Sequence, residues 1–336
     1  MSYPSLARLA FGYAPAQIVH AAVRLGLPDA LADAPMPVEK LADALHCDAA
    51  TLTRLVRALV VLGVLDEGPD DQVALADLGR PLCADHPRSM RASVLLYGHP
   101  AAWQAWGALA DGVRSGQAAF DQVHGMPLFD HLAQHPDLAA AFHTAMREGT
   151  GGIAAAVAGA YDFSGARTVV DVGGGNGALL AAVLTAAPHV HGILVDTAEG
   201  AAGAEATLER AASPQRWSVA TGDFFAAVPG GDVMLVKGIL HDWDDERCVR
   251  LLRNCRESIA PDGRLLVVEP VLPESLGAPD AAGVVLSDIA MLVYTGGRER
   301  SRTEFRTVLA ASGFDLIEVT PPLGGTAIRV LISTPS

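Results

Sequence analysis

The sequence predicts an α/β protein in two parts. A mainly helical N-terminal region with a winged-helix-like element precedes an open, largely parallel sheet covered on both faces. Three observations carry this expectation. Residues 4 to about 160 show helical apolar spacing with one short β interruption, whereas from Arg167 onward short apolar runs alternate with helical segments. The 336 residues, half of them hydrophobic and only 18% charged, suffice for two cores and argue against disorder. The division expected is residues 1–98 for the first domain and 99–336 for the second, the latter as a helical segment 99–160 and a sheet core 161–336.

In the first part, Val38–Leu45 has helical spacing, Cys47-Asp48 reads as a turn, and Thr51–Leu59 gives a second amphipathic helix. Val64-Leu65-Asp66 and Val73-Ala74-Leu75 then flank the polar turn Glu67–Asp71 as a small hairpin. Helix-turn-helix plus hairpin is a winged-helix outline, which suggests DNA binding. Residues 37–80 carry four Arg/Lys against eight Asp/Glu, however, and a duplex reader needs the opposite sign. A scaffold or dimerisation role is expected instead.

In the second part the strands expected are Thr168–Val172, Gly192–Asp196, Trp217–Ala220, Asp232–Val236 and Arg264–Glu269. Their near-continuous apolar character indicates a parallel sheet buried on both faces. Phe314–Val319 and Ala327–Ile332 read as a closing strand pair.

Net charge and cysteine usage narrow the setting. A formal charge of −14 disfavours nucleic acid and anionic membrane as partners. No uncharged run is long enough to span a bilayer, and MSYPSLARLAFGYAPAQ lacks the basic start and long apolar run of a leader. The cysteines Cys47, Cys83, Cys248 and Cys255 form no CxxC pair or metal-ligand spacing and read as small buried hydrophobes. A soluble, cytoplasmic protein is expected.

The strongest local signal is Asp171-Val172-Gly173-Gly174-Gly175-Asn176-Gly177, at the end of the first strand and ahead of a helix starting near Ala178. Glycines there let the backbone turn tightly and approach a ligand beside a helix N-terminus. Gly173, Gly175 and Ala178 also satisfy the dinucleotide pattern, with Asp196 placed like a ribose-binding acid. Two features favour S-adenosylmethionine over NAD. The Asp171 carboxylate would repel a pyrophosphate but suit a cationic aminoacyl ligand, and Gly222-Asp223-Phe224-Phe225 offers an acceptor and a ring face for adenine.

The segments DVGGGNGALL, LVD, GDFF, LVKGILHDWDDE, LLVVEPVLPE and GGRERSRTEF, in that order, resemble the successive motifs of the small-molecule O-methyltransferases, both plant caffeate and flavonoid enzymes and bacterial polyketide-tailoring ones. The resemblance covers most of the chain and implies a Rossmann-like class I methyltransferase domain, preceded by a dimerisation domain through which two copies pair. It implies Gly173 at the methionine moiety, Asp196 on ribose, Asp223 and Phe224 on adenine, Lys237 near the adenosine, and Thr150 at the carboxylate, while Gly175 is a cofactor-loop candidate.

A phenol has a pKa near 10, so at neutral pH it needs a base to attack a methyl sulfonium. His241, just past the fourth strand, stands at the carboxyl edge where open sheets bind ligands. The resemblance makes it the base and adds Glu269 and Glu299 as the acids that orient its ring and stabilise its cation. Asp242, Asp244 and Asp245 raise a metal-dependent alternative, but a cap on the helix through Arg247–Ile259 accounts for Asp244 or Asp245, so no metal is expected. Trp103, Trp106, Phe120, Met126, Phe129, Phe142, Met146, Met291 and Tyr294 are candidates for an acceptor pocket. The resemblance places Phe142, Met146 and Met291 in that pocket; Trp103, Asp242 and Asp288 are further acceptor candidates, the aspartates as polar contacts. Gly238 departs from the plant pattern, which often has an aromatic residue there, and implies a roomier pocket. Three rivals to O-methylation stand: N- or C-methylation or non-methylating chemistry on the same fold, a nicotinamide oxidoreductase, and a non-catalytic DNA-binding regulator.

Overall fold

The computed structural model describes residues 3–336, with side chains from Leu6 onward; Met1 and Ser2, the start of the segment expected not to be a leader, lie outside the described residues. Two compact units emerge. One runs through Trp103 and takes in His135–Glu148; the other comprises Gln104–Gln134 and Gly149–Ser336. The chain leaves the first unit after Trp103 and returns to it once, through His135–Glu148.

In the first unit, short helices surround a three-stranded antiparallel sheet of β1 (Met36–Pro37), β2 (Leu65–Glu67) and β3 (Gln72–Leu75), ordered β1-β3-β2. The helix Ala49–Val61 starts where it does because the Asp48 carboxylate accepts the Thr51 amide at 2.8 Å, satisfying one orphan donor of the first turn. Its buried face, Leu52, Val56 and Leu59, packs with Leu41, Leu65 and Val73 into one core. Helix, helix and hairpin thus form as the spacing indicated.

In the second unit the strands are β4 (Thr168–Val172), β5 (His191–Asp196), β6 (Trp217–Thr221), β7 (Gly231–Lys237), β8 (Ile259–Leu272), β9 (Arg300–Ser301), β10 (Phe314–Val319) and β11 (Ile328–Pro335). The main sheet runs β10-β11-β8-β7-β4-β5-β6, and β9 adds to the end of β8. Successive residues of a strand face opposite sides, so Val169 joins Leu180, Leu184 and Leu235 in one layer while Val170 joins Met234, Leu251 and Phe305 in the other. Both layers are apolar, which is why these strands lack alternation. Cys248 and Cys255 are fully buried in the second layer, and burial pushes both thiols up to about 12, so they behave as hydrophobes.

Strand order sets where a ligand fits. From β4 the chain builds outward through β5 and β6, then crosses back to β7 and β8 on the other side. All five are mutually parallel, so their carboxyl ends share one edge, with the reversal of order between β4 and β7. Among the described residues no helix is long and apolar enough to cross a membrane.

Candidate active site

The glycine loop leaves β4 with Gly173, Gly175 and Gly177 all at positive φ, a region in which other residues are strained. A side chain at Gly173 would collide with Ile239, whereas at Gly175 it would meet nothing within 4 Å, so the loop backbone faces open space there. Asp196, at the end of β5, holds the loop from below: its Oδ2 accepts the Gly175 amide at 2.8 Å and its Oδ1 the Thr197 amide at 2.7 Å. Any side chain at Gly200 would displace that carboxylate. After β6, Asp223 Oδ1 accepts the Phe225 amide at 2.8 Å, and Asn254 Nδ2 donates to the Phe224 carbonyl at 2.9 Å, fixing the turn that presents Phe224.

Asp171 sits beneath this loop and is only 1% exposed. Burial lifts its carboxyl to about 7, with Lys237 opposing the rise and Asp196 adding to it, and its Oδ2 has no hydrogen-bond partner. Lys237, at the end of β7, is lowered by burial against the pull of Glu269 and Asp171. Asp171 is therefore buried beneath the loop and not exposed to a ligand in solvent.

Past β7, Gly238 takes φ +61° and the chain forms a short 3-10 turn, Leu240–Asp242. Glu269, fully buried near the end of β8, accepts the Ile239 and Leu240 amides on Oε1, each at 2.9 Å. Its Oε2 lies 3.5 Å from His241 Nδ1, and Glu299 Oε1 lies 3.1 Å from the same nitrogen. Glu299 is held in turn by the Ser287 hydroxyl on Oε1 at 2.6 Å and by its own amide, which donates to Asp288 Oδ1 at 2.9 Å. Burial alone would lower the His241 pKa, but Glu269, the hydrogen bond to Glu299, and Asp242 outweigh it and raise the imidazole to about 10. Asp242 is itself raised to about 6, by burial first, against the pull of His241 and with Glu269 and Glu299 pushing it further. In the neutral ring the proton belongs on Nδ1, which faces the carboxylates, and Nε2 is the nitrogen that can accept one.

The neighbouring aspartates divide. Asp244 caps the helix Asp245–Ser258, its Oδ1 accepting the Arg247 amide at 2.7 Å, and Asp245 pairs with Arg298 and Arg300 at 2.7 and 2.8 Å. Among the described residues, one group has ligand atoms close enough to share an ion: His241, Glu269 and Glu299, within 4.8 Å of one another.

The remaining residues scatter more widely. Met291 and Asp288 lie with Ser287 on the helix Ala281–Tyr294, whose Tyr294 hydroxyl accepts the Trp106 indole N–H at 2.9 Å. Thr150 stands near the end of the helix Pro136–Gly151. Trp103, Phe142 and Met146 belong to the other compact unit. Two contributors escaped the sequence reading. Ser287 had no motif to mark it, and Arg300, the largest fully buried side chain among the described residues, was assigned no role.

A central glycine loop, acids at successive strand ends and this sheet order define a class I methyltransferase. Residues 106–315 match the O-methyltransferase domain and residues 7–84 the O-methyltransferase dimerisation domain. The chain belongs to the O-methyltransferase family. It is 41% identical over 330 residues to the O-demethylpuromycin-O-methyltransferase of Streptomyces alboniger, covering 97% of this chain and 88% of that protein. The crystal structure of LaPhzM superposes with a TM-score of 0.93 at 37% identity over all of both chains. That of CalO1, a methyltransferase of calicheamicin biosynthesis in its S-adenosylhomocysteine-bound form, does so at 0.83 and 32%, again over both whole chains. The chain is an S-adenosylmethionine-dependent O-methyltransferase of the secondary-metabolite type. Its residues fit that cofactor: a left-handed loop open at Gly175, carboxylates at the ends of β4 and β5, and the orphaned Asp171 Oδ2 beneath a site for a cationic ligand.

Proposed function

We propose that the enzyme methylates a phenolic hydroxyl of a small aromatic acceptor, with His241 as general base. The observation that carries this reading is the imidazole backed on Nδ1 by two buried carboxylates at the carboxyl edge of the sheet. S-adenosylmethionine supplies an electrophilic sulfonium methyl when bound. Gly173 and Gly175 receive its methionine portion with Thr150 at the carboxylate, Asp196 takes the ribose hydroxyls, Asp223 and Phe224 the adenine, and Lys237 stands near the adenosine.

His241 Nε2 would remove the phenolic proton as the acceptor oxygen bonds to the methyl group, whose bond to sulfur breaks to leave S-adenosylhomocysteine. Glu299 and Glu269 stabilise the resulting imidazolium. A base raised to about 10 matches a phenol of about 10, so the proton is shared at little cost between oxygen and nitrogen. Holding acceptor and methyl in line contributes on the order of 7–11 kcal/mol more.

Met291 stands at the acceptor in this reading, with Asp242 and Asp288 as polar contacts. A side chain at Gly238 would come within 3.9 Å of His241 Nε2 and of nothing else, which supports an acceptor broader than a single ring. The same site needs no metal, because the imidazole already supplies the base. Two measurements test the proposal. His241→Ala should lose roughly 10²–10⁴-fold in turnover with S-adenosylhomocysteine affinity near wild type. Phenolic metabolites incubated with isotope-labelled cofactor should yield products labelled on oxygen; transfer only to nitrogen or carbon would overturn the acceptor class.

A further inference from the structure

We infer that Arg300 is a positioning residue for the base, and that Glu299 and Arg300 together grip His241 at two points, ring and backbone. The inference rests on the reading of His241 as the base. Arg300 is 0% exposed. Its Nη1 donates to the Leu240 carbonyl at 2.7 Å and its Nη2 to the Trp243 carbonyl at 2.8 Å. These two carbonyls bracket His241 and Asp242 and no other residue. Nε and Nη2 also donate to Asp245 Oδ1, at 2.9 and 2.8 Å.

The neighbouring chain shows why the grip is tight. A side chain at Gly297 would collide with the His241 and Asp242 backbone, so this segment lies directly against the turn it holds. β9 pairs in parallel with the end of β8, Val271 opposite Arg300, and β8 is the strand that carries Glu269. One ruler therefore sets both carboxylates and the guanidinium. Consecutive residues of an extended chain point to opposite sides, and here Glu299 reaches the ring while Arg300 reaches the backbone beneath it. The planar fork of arginine suits two carbonyls and a carboxylate at once, which a lysine ammonium does not reproduce. Arg298, on Asp245 at 2.7 Å and Glu304 at 3.1 Å, ties the far side of the clamp to the capping box of the helix Arg302–Ala311.

A merely structural arginine would support the start of the helix Asp245–Ser258 and nothing else. The two roles separate in the pH–rate profile. If the clamp presses His241 against Glu299, loosening it moves the rising limb of kcat/KM to lower pH and lowers kcat, with KM and S-adenosylhomocysteine affinity near wild type. Arg300→Lys is expected to lose on the order of 100-fold in kcat, the scale of a displaced catalytic group. Asp245→Asn, on a half-exposed side chain, keeps an oxygen for Arg300 but not the charge; it should move the limb in the same direction by less, and it decides the matter if Arg300→Lys does not fold. Wild-type kcat and an unmoved profile in folded Arg300→Lys, or in Asp245→Asn should the lysine variant not fold, would overturn the clamp, even with a lowered melting temperature. His241→Ala, measured alongside, separates the readings. If it is inactive while the clamp variants behave as wild type, only the clamp fails; if it is fully active, the base fails and the clamp with it.

Discussion

The Ser287 hydroxyl donates to Glu299 Oε1 at 2.6 Å, and that same oxygen faces His241 Nδ1 at 3.1 Å. One lone-pair system thus serves two donors, and what Ser287 takes from it His241 cannot. Replacing Ser287 by alanine leaves Glu299 a stronger acceptor toward the imidazolium. The expected result for Ser287→Ala is a rising limb of kcat/KM moved to higher pH by about one unit, the scale of one hydrogen bond to a charged group. An unmoved or acid-shifted limb would show that Ser287 does not tune the base.

The pH dependence of the wild-type enzyme follows from His241 itself. Its imidazole is raised to about 10 and must be neutral to take a proton, so kcat/KM should rise about tenfold per pH unit from neutrality toward that value. A plateau already reached at about pH 7, near an ordinary histidine, would contradict it. Stability runs the other way. A folded pKa above the unfolded value of about 6.5 contributes stability that is complete below 6.5 and lost as the pH rises through about 10. Glu299→Gln removes one of the raising partners and should shift the limb to lower pH while reducing the plateau rate.

Cofactor binding turns on Asp196. Asp196→Ala removes an acceptor from the ribose and frees the Gly175 and Thr197 amides that its two oxygens hold. S-adenosylhomocysteine affinity should fall by about 1.5–3 kcal/mol, read by calorimetry. Unchanged affinity would remove Asp196 from the site.

The aspartates after His241 give a prediction about metal. Asp244 caps a helix, so Asp244→Ala should cost about 0.5–2 kcal/mol of stability and leave kcat/KM of the folded enzyme unchanged. EDTA should leave initial rates unaltered, because the proton goes to His241. Activity lost on chelation and restored by magnesium would turn attention to the His241, Glu269 and Glu299 group, whose ligand atoms are close enough to share an ion.

Much of this was legible in sequence because it is local. The β4 loop shows itself through glycines that must take positive φ within a few residues, and His241 through its place just past an apolar strand. Arg300 was not legible for a physical reason. Its burial comes from carbonyls and an acid about 55 to 60 residues earlier in the chain, and nothing in Arg298-Glu299-Arg300 distinguishes a buried guanidinium from two exposed ones.

The last prediction concerns assembly. In the first unit Leu6, Leu9, Phe11 and Tyr13 are all more than half exposed, as are Val61, Met90 and Tyr97. Leu6 and Leu9 lie on the helix Tyr3–Ala10, Phe11 in the turn that follows and Tyr13 at the start of the helix Tyr13–Arg24, with the Phe11 and Tyr13 rings 6.5 Å apart, so they are neighbours and not scattered single residues. Such stretches mark interfaces once they exceed a few hundred Å². Residues 7–84 match a dimerisation domain, and the acidic winged-helix-like element within them has the wrong sign for DNA but is free to interlock with a second copy. A C₂ homodimer with roughly 2,000 Å² or more buried in total is expected. The pair Leu9→Asp and Phe11→Asp places charge in that surface without touching the buried core, so it should shift the equilibrium toward monomer at micromolar concentration while each unit stays folded by circular dichroism. Light scattering separates the two species cleanly, since one chain weighs 34.8 kDa. A wild-type enzyme that is monomeric and fully active at that concentration would overturn the dimer, and a double variant that remains dimeric would move the interface away from the first two helices.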